Sequence, residues 1–398
     1  MIQPQPDPLR EAVAAAAGFI VVKVGTRVLT GPDGLLDDAR IESLGRQFDG
    51  LLAAGRKVVL VSSGAVGAGM GRMGLRQRPH ELAHLQAVAA VGQSCLIEAY
   101  ERALRAKGRH VGQVLLVADD FKDRARYLNI RNTLRALLDY GAIPVINEND
   151  TVSVEELRTS FGDNDRLAAL VATLLGAPLL VLLSDVEGLY DRHPDEPGAV
   201  RLATVETIDG AIESLARDRA GGLSKGGMAS KIAAARIVTE AGGHCIIASG
   251  RDDDVLPRIA RGDTVGTLFR GRDAAMPAWK RWLGWSADVR GTVTVDAGAR
   301  EALVEAGRSL LAAGVRAAEG DFHTGDLVAL TDESGRVFAR GLVNYPAADL
   351  RRIAGLKTDR IAEVLGYSPY DEVVHRDNLA VVCRGDQIGP NATVSDAG

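Results

Sequence analysis

The chain has 398 residues, 46% hydrophobic and 25% charged, with a formal net charge of −5: the balance of a packed globular protein too long for one ordinary core, so two or three domains are expected. That acidic balance argues against a protein built chiefly to grip a nucleic-acid backbone. Three scattered cysteines, Cys95, Cys245 and Cys383, show no CxxC spacing; they suggest neither a disulfide framework nor a zinc site, and suit a reducing cytosol.

The first apolar run, Ala12 to Val22, has Glu11 at its edge and ends at Lys23. It is too short to span a membrane and is not followed by a small-residue cleavage site, so its second half, Phe19–Val24, reads as a buried strand. Further runs rich in Val, Ile and Leu read as buried strands at Lys57–Val61, Val111–Val117, Ala142–Ile146, Leu179–Leu183 and His244–Ala248. Helical spacing fills the intervals at Asp37–Ala54, Glu81–Ala106, Arg126–Tyr140, Asp165–Leu175 and Met228–Ala241. This alternation predicts βαβ units and a mostly parallel sheet covered on both faces, with ligands at the carboxyl ends of the strands. After Phe269 the pattern changes. Trp279, Trp282 and Trp285 lie among basic residues, either stacking nucleic-acid bases or, as the plainer reading, packing a connector. Gly291–Val295, Leu327–Leu330 and Arg336–Leu342 read as short strands of a small β-rich domain, with a turn at Glu333-Ser334-Gly335 and a polar tail from Gly389.

The chemistry is expected in the loops after the strands. Lys23-Val24-Gly25-Thr26 joins a strand-end lysine to a glycine that lets backbone N–H groups approach a phosphate. Ser62-Ser63-Gly64 opens a helix, whose free N–H groups and dipole suit an anion. The same stretch holds a literal GxGxxG at Gly69, Gly71 and Gly74. It starts eight positions after Val61 rather than in the turn, so a dinucleotide site is discounted. Asn147-Glu148-Asn149-Asp150 ends a strand, and Asp150 suits a cation, either a lysine or a substrate amine. Gly162-Asp163-Asn164-Asp165 opens a helix, with Asp163 an N-cap or a site residue. Ser184-Asp185 closes another strand. Lys225-Gly226-Gly227-Met228-Ala229-Ser230-Lys231 resembles a phosphate loop without the GK[ST] ending of a Walker sequence, and sets Lys231 in a first helical turn facing the crevice of Lys23.

Taken in order, VKVGT, VSSGAV, INEND, GDND, LSDVEGLY and GGMASK resemble the amino acid kinase superfamily, and within it the glutamate 5-kinase family, from about Phe19 to Phe269. The segment with Glu319-Gly320-Asp321-Phe322-His323-Thr324-Gly325-Asp326 looks like a PUA module. The resemblance implies a three-layer amino acid kinase fold with a mostly parallel central sheet, followed by a small β-rich PUA-like domain. It sets an extension at 1–17, the kinase domain at 18–271, a linker at 272–288, the PUA-like domain at 289–385 and a tail at 386–398. It also implies a cytoplasmic enzyme that phosphorylates the glutamate side-chain carboxylate with ATP and Mg²⁺, the first step of proline biosynthesis. By similarity Lys23 and Lys231 contact ATP phosphates. Ser184, Asp185 and the run Lys225, Gly226, Gly227, Met228, Ala229, Ser230 and Lys231 form the nucleotide site. Ser63, Asp150 and Asn164 bind glutamate, Asp163 joins the catalytic group, and Asp165 falls in the same site. Asp150 and Asp163 are placed to hold the lysines by pairing with them. Proline as feedback inhibitor, a homo-oligomer and an RNA contact through the PUA-like domain are further implied partners, with no membrane.

The nucleophile explains why no histidine-centred constellation is needed. A carboxylate of pKa about 4.3 is already ionised at neutral pH, so the reaction asks for positioning and charge cancellation rather than a general base. Two rivals stand beside this reading. One is a sister kinase for acetylglutamate, aspartate, carbamate or a nucleoside monophosphate. The other is an RNA-binding protein with a vestigial kinase fold, against which residues 289–398 carry 12 Arg+Lys and 16 Asp+Glu. Arg351, Arg352, Lys357 and Arg360 are either an RNA footprint or, more simply, a solvated helix face.

Overall fold

The computed structural model describes residues 7–121, 124–152, 164–215, 227–272, 289–367 and 370–382. The chain divides into two compact units, residues 1–276 and 277–398.

Among the described residues the first unit is built on eight strands: β1 (Phe19–Val24), β2 (Lys57–Ser62), β3 (His110–Leu116), β4 (Ala142–Glu148), β5 (Leu179–Ser184), β6 (Thr204–Val205), β7 (His244–Ser249) and β8 (Thr267–Phe269). They lie in the order β3-β4-β2-β1-β5-β7-β8-β6, every pair parallel except β7 with β8. β1 sits between β2 and β5, and its Ile20, Val21, Val22 and Val24 are buried, as expected for a parallel strand covered on both faces. The longer predicted strands and helices lie within two residues of those observed. The short β6 and β8 have too few residues to show a period, and the sequence reading passes over them.

Helices occupy the connections: α1 (Pro8–Ala16), α2 (Asp38–Ala53), α3 (Ala65–Met73), α4 (Leu82–Arg105), α5 (Arg124–Asp139), α6 (Asn164–Leu175), α7 (Met228–Glu240) and α8 (Val255–Arg261). α1 takes the first half of the apolar run. The Asp7 carboxylate accepts from the N–H groups of Leu9 and Arg10, and Pro8 fills the first position. Phe48 of α2 and Tyr100 of α4 are fully buried against the sheet, and truncating either to alanine is expected to cost about 3–5 kcal/mol.

α3 and α4 lie close enough that glycine is obligatory between them. A Cβ added at Gly69 would fall 1.9 Å from Val88 O, and one at Gly92 would fall 1.6 Å from Ala65 O. Gly74 ends α3 with a left-handed φ of 66°. The GxGxxG spacing is therefore a helix-packing and helix-ending device.

The second unit has its own core around Phe322, Phe338, Tyr345 and Leu350. Strands β9 (Gly291–Val295), β10 (Leu310–Leu311), β11 (Val315–Gly320), β12 (Leu327–Thr331), β13 (Val337–Leu342), β14 (Glu372–Val374) and β15 (Leu379–Val381) form a five-stranded sheet, β11-β9-β12-β13-β15, and a β10-β14 pair. The turn before β13 has Gly335 at φ 81°, and the Asp332 carboxylate accepts from the N–H groups of Ser334 and Arg336. The three arginines of the basic cluster are engaged inside the unit. Arg351 donates to Ala318 O at 2.9 Å, Arg352 to Val364 O at 2.6 Å, and Arg360 pairs with Glu363 at 2.5 Å. The three tryptophans, Cys383 and the tail from Gly389 lie outside the described residues.

Candidate active site

The carboxyl ends of β2, β1 and β5 are fastened side by side. Ser63 N donates to Val24 O at 3.1 Å, and Gly25 N donates to Leu183 O at 3.0 Å. A side chain at Gly25 would press on Leu183 O and approach Lys23 Nζ, at 3.3 and 3.6 Å, so glycine leaves open the space beside the ammonium. Gly64, at φ 98°, turns the chain from β2 into α3.

Two helix starts converge on these strand ends. α6 begins at Asn164 and Asp165, and α7 begins after its cap Gly227 with Met228, Ala229, Ser230 and Lys231 in its first turn. Lys23 Nζ lies 2.6 Å from Asp165 Oδ1, and Lys231 Nζ lies 3.1 Å from Oδ2. The Ser230 hydroxyl donates to Oδ2 at 3.3 Å. All three charged side chains are buried, with Asp165 at 3% exposure. Burial alone disfavours charge on Asp165, but the two ammonium groups outweigh it and hold the carboxyl below its ordinary pKa. One carboxylate thus sets two lysines side by side.

The corresponding sequence expectation is corrected on this point. Lys23 and Lys231 pair with Asp165, on the first turn of α6, rather than with Asp150, whose side chain faces an amide. Asp163 lies outside the described residues, as do Lys225 and Gly226.

Asn164 ties the other half together. Its amide donates to Ser63 Oγ at 2.9 Å, to Asn147 Oδ1 at 3.1 Å and to Ser62 O at 3.2 Å. Among the described residues its Oδ1 has no hydrogen-bond partner, a buried acceptor left within the site. Behind Ser63, Ser62 Oγ and the buried Tyr100 hydroxyl share a 3.0 Å hydrogen bond.

Asp150, just past β4, borders a cavity of about 240 Å³ lined by Gln93, Ser94, Gln113, Leu115, Asn149 and Asp150 itself. Burial raises its pKa, only partly offset by the Gln93 amide that donates to Oδ2 at 3.2 Å. At the end of β5, Ser184 Oγ donates to Asp185 Oδ1 at 3.0 Å and Arg27 donates to Oδ2 at 2.9 Å. Burial opposes ionisation of Asp185, yet Arg27 and Ser184 overcome it and lower its pKa. Among the described residues no group of three or more His, Cys, Asp or Glu side chains stands together as a metal site.

Residues 18–249 match the amino acid kinase family and residues 291–365 match the PUA domain. The glutamate 5-kinase of Myxococcus xanthus is 50% identical over 369 residues, covering 92% of this chain and 97% of that protein. The chain belongs to the glutamate 5-kinase family. The glutamate 5-kinases of Moorella thermoacetica, 49% identical over 364 residues, and Rhodopirellula baltica, 46% over 373, cover 91% and 94% of this chain, and each is itself covered to 96%. It is accordingly a phosphotransferase with an amino acid kinase unit and a C-terminal PUA domain.

Within this glutamate 5-kinase family member, the fold brings Lys23, Lys231, Ser63 and Asn164 from the expected loops together, while the lysines' partner differs from the expected one. Asp165 is visible in GDND as a first-turn carboxylate, but nothing local distinguishes pairing with two distant lysines from capping. Gln93 lies mid-helix in α4, 57 positions before Asp150, where no motif marks it. Arg27 directly follows the first phosphate-like loop and would need the β1–β5 pairing to be found.

Proposed function

We propose that the chain transfers the γ-phosphoryl group of ATP to the side-chain carboxylate of glutamate in the cytoplasm, giving L-glutamyl 5-phosphate and ADP, the first step of proline biosynthesis. The observation that carries the reading is the Asp165 bridge, which holds two buried lysines at adjoining strand and helix ends. A carboxylate oxygen attacks the γ-phosphorus as the bond to the β–γ bridging oxygen breaks, and ADP leaves with that electron pair. No proton has to move, because the nucleophile is ionised above pH about 4.3. What the protein supplies is fixed positive charge where the transferred phosphoryl group builds up negative charge.

Lys23 and Lys231 are assigned to the phosphates, with the first turn of α7, Ser184 and Asp185 completing the nucleotide side. Ser63, Asn164 and Asp150 are assigned to glutamate. Asn164 Oδ1, without a partner among the described residues, and the Asp150 carboxylate are both acceptors suited to its ammonium group. Asp163 and Lys225–Gly226 are kept in the site by similarity alone. Mg²⁺ is assigned to the ATP phosphates rather than to a protein cage, as this ion prefers, and there it would neutralise phosphate charge. The kinase chemistry is placed in residues 18–271 and the PUA module in 289–385.

Coupled ADP release with glutamate, N-acetylglutamate, aspartate and carbamate tests the reading. Turnover should depend on glutamate, and a preference for another acceptor would assign the enzyme elsewhere. Proline inhibition and self-assembly are carried from the family as expectations for the same preparation, read by added proline and by sedimentation. RNA binding through the PUA domain is the second reading. Arg351, Arg352 and Arg360 are already engaged within their own unit, which places it behind the kinase reading. Retention on RNA at moderate salt would raise it.

A further inference from the structure

Gln93 reaches the acceptor side of the site from α4, outside every phosphate- or substrate-like loop. It is 8% exposed, and its amide nitrogen donates to Glu148 O and to Asp150 Oδ2, both at 3.2 Å. Both amide hydrogens are thus committed, one to the end of β4 and one to the carboxylate just beyond it. The helix cannot easily shift beneath this contact. Gly92, the preceding residue, sits so close to α3 that an added Cβ would lie 1.6 Å from Ala65 O and 2.6 Å from Gly69 N. α3 itself opens directly after Ser63 and Gly64. One rigid helix contact therefore fixes the Ser63 loop and the Asp150 loop relative to each other.

We infer that Gln93 is a positioning residue for substrate selection, whose amide aims the Asp150 carboxylate into the cavity that receives the substrate's ammonium group. The inference rests on the assignment of Asp150 to that ammonium. The surroundings leave Gln93 this task. The cavity brings Gln93 and Ser94 from α4, Gln113 and Leu115 from β3, and Asn149 and Thr151 from the loop of Asp150. None of these titrates near neutral pH, so among the described lining residues only Asp150 changes charge. With no lysine or arginine among the described lining residues, the carboxylate takes its orientation and part of its ionisation from an amide.

The test uses the full chain with Gln93→Met, which keeps volume and removes the donor, alone and combined with Asp150→Asn. The expected result is a rise of about tenfold in KM for glutamate, the size of losing a hydrogen bond to a charged group, with kcat and KM for ATP within about twofold. The acid limb of kcat/KM should move to higher pH, because losing the donor raises the Asp150 pKa further. Preference for glutamate over N-acetylglutamate should shrink. In the Asp150→Asn background the same substitution should change none of these, even if the variant melts at lower temperature. Gln93→Glu, which sets a second carboxylate beside Asp150, should shift the acid limb further in the same direction. An unchanged KM and pH profile in Gln93→Met, or an equal loss in the Asp150→Asn background, would overturn the positioning role alone. Full retention of glutamate preference by Asp150→Asn would overturn the assignment of Asp150, and the inference with it.

Discussion

Two aspartates of the site, the buried Asp165 on the first turn of α6 and the half-buried Asp150 just past β4, are driven in opposite directions. Asp165 sits between two ammonium groups that lower its pKa despite burial, whereas Asp150 has an amide for a partner and burial raises its pKa. The first carboxylate is satisfied within the protein and gives the phosphate side a fixed shape. The second has no cation among its described cavity neighbours, and so suits a ligand that brings one. Sites that hold charge ready for a substrate are expected to show this asymmetry.

The largest effect should come from removing the charges that Asp165 aligns. Lys23→Ala or Lys231→Ala is expected to lower kcat by about 10²–10³ or more, as for loss of a transition-state contact. A folded variant with near-normal kcat would remove that lysine from the chemistry. Asp165→Asn keeps the shape but leaves two ammonium groups facing one neutral amide. Breaking a buried ion pair in this way costs about 3–5 kcal/mol of stability, and kcat should fall with it through misaligned lysines. Urea unfolding and steady-state kinetics on the same preparation check both. Unchanged stability would mean that solvent reaches the bridge more freely than its burial implies.

The acceptor side should respond in specificity. Free glutamate brings an ammonium group, while N-acetylglutamate brings a neutral amide. In a site closed around its substrate, leaving a carboxylate without its cation costs about 2–5 kcal/mol, so wild type should favour glutamate by at least roughly 30-fold in kcat/KM. Asp150→Asn should lose glutamate efficiency and compress that ratio. Measuring both acids with both proteins decides it, and a variant with the full ratio would hand the ammonium to Asn164 Oδ1.

How much of this was legible in the sequence follows the same division. The parallel core announces itself because strands such as Phe19–Val24 and Leu179–Ser184 are near-continuous apolar runs, and polar loops follow them where ligands bind. Lys23, Ser63, Asn164 and Lys231 stand in those loops and are brought together as expected. The pairings are a different matter. That Asp165 rather than Asp150 bridges the lysines depends on how the starts of α6 and α7 converge, and Gln93 matters only through a glycine-mediated helix contact. Residues 57 or more positions apart in sequence carry no local sign of such meetings.

The smallest predicted effect separates the two aspartates most cleanly, because it has opposite signs. The folded-state pKa of Asp165 is lowered, so its contribution to stability is fully present above the unfolded value of about 3.9 and is lost as pH falls through the folded value. The folded-state pKa of Asp150 is raised, so its ionised form costs stability at neutral pH, and the cost fades on acidification towards and below about pH 3.9. Asp150→Asn should therefore raise the melting temperature of the ligand-free protein at pH 7, by about 1–3 °C, and the gain should disappear near pH 4. Asp165→Asn should lower it at pH 7, with the deficit narrowing only below pH 4. Melting curves of the three proteins between about pH 3 and pH 8 provide the check. A loss of stability for Asp150→Asn at pH 7 would mean that the carboxylate is anchored by more than Gln93. It would then be structural like Asp165, and the contrast between the two sides of the site would fail.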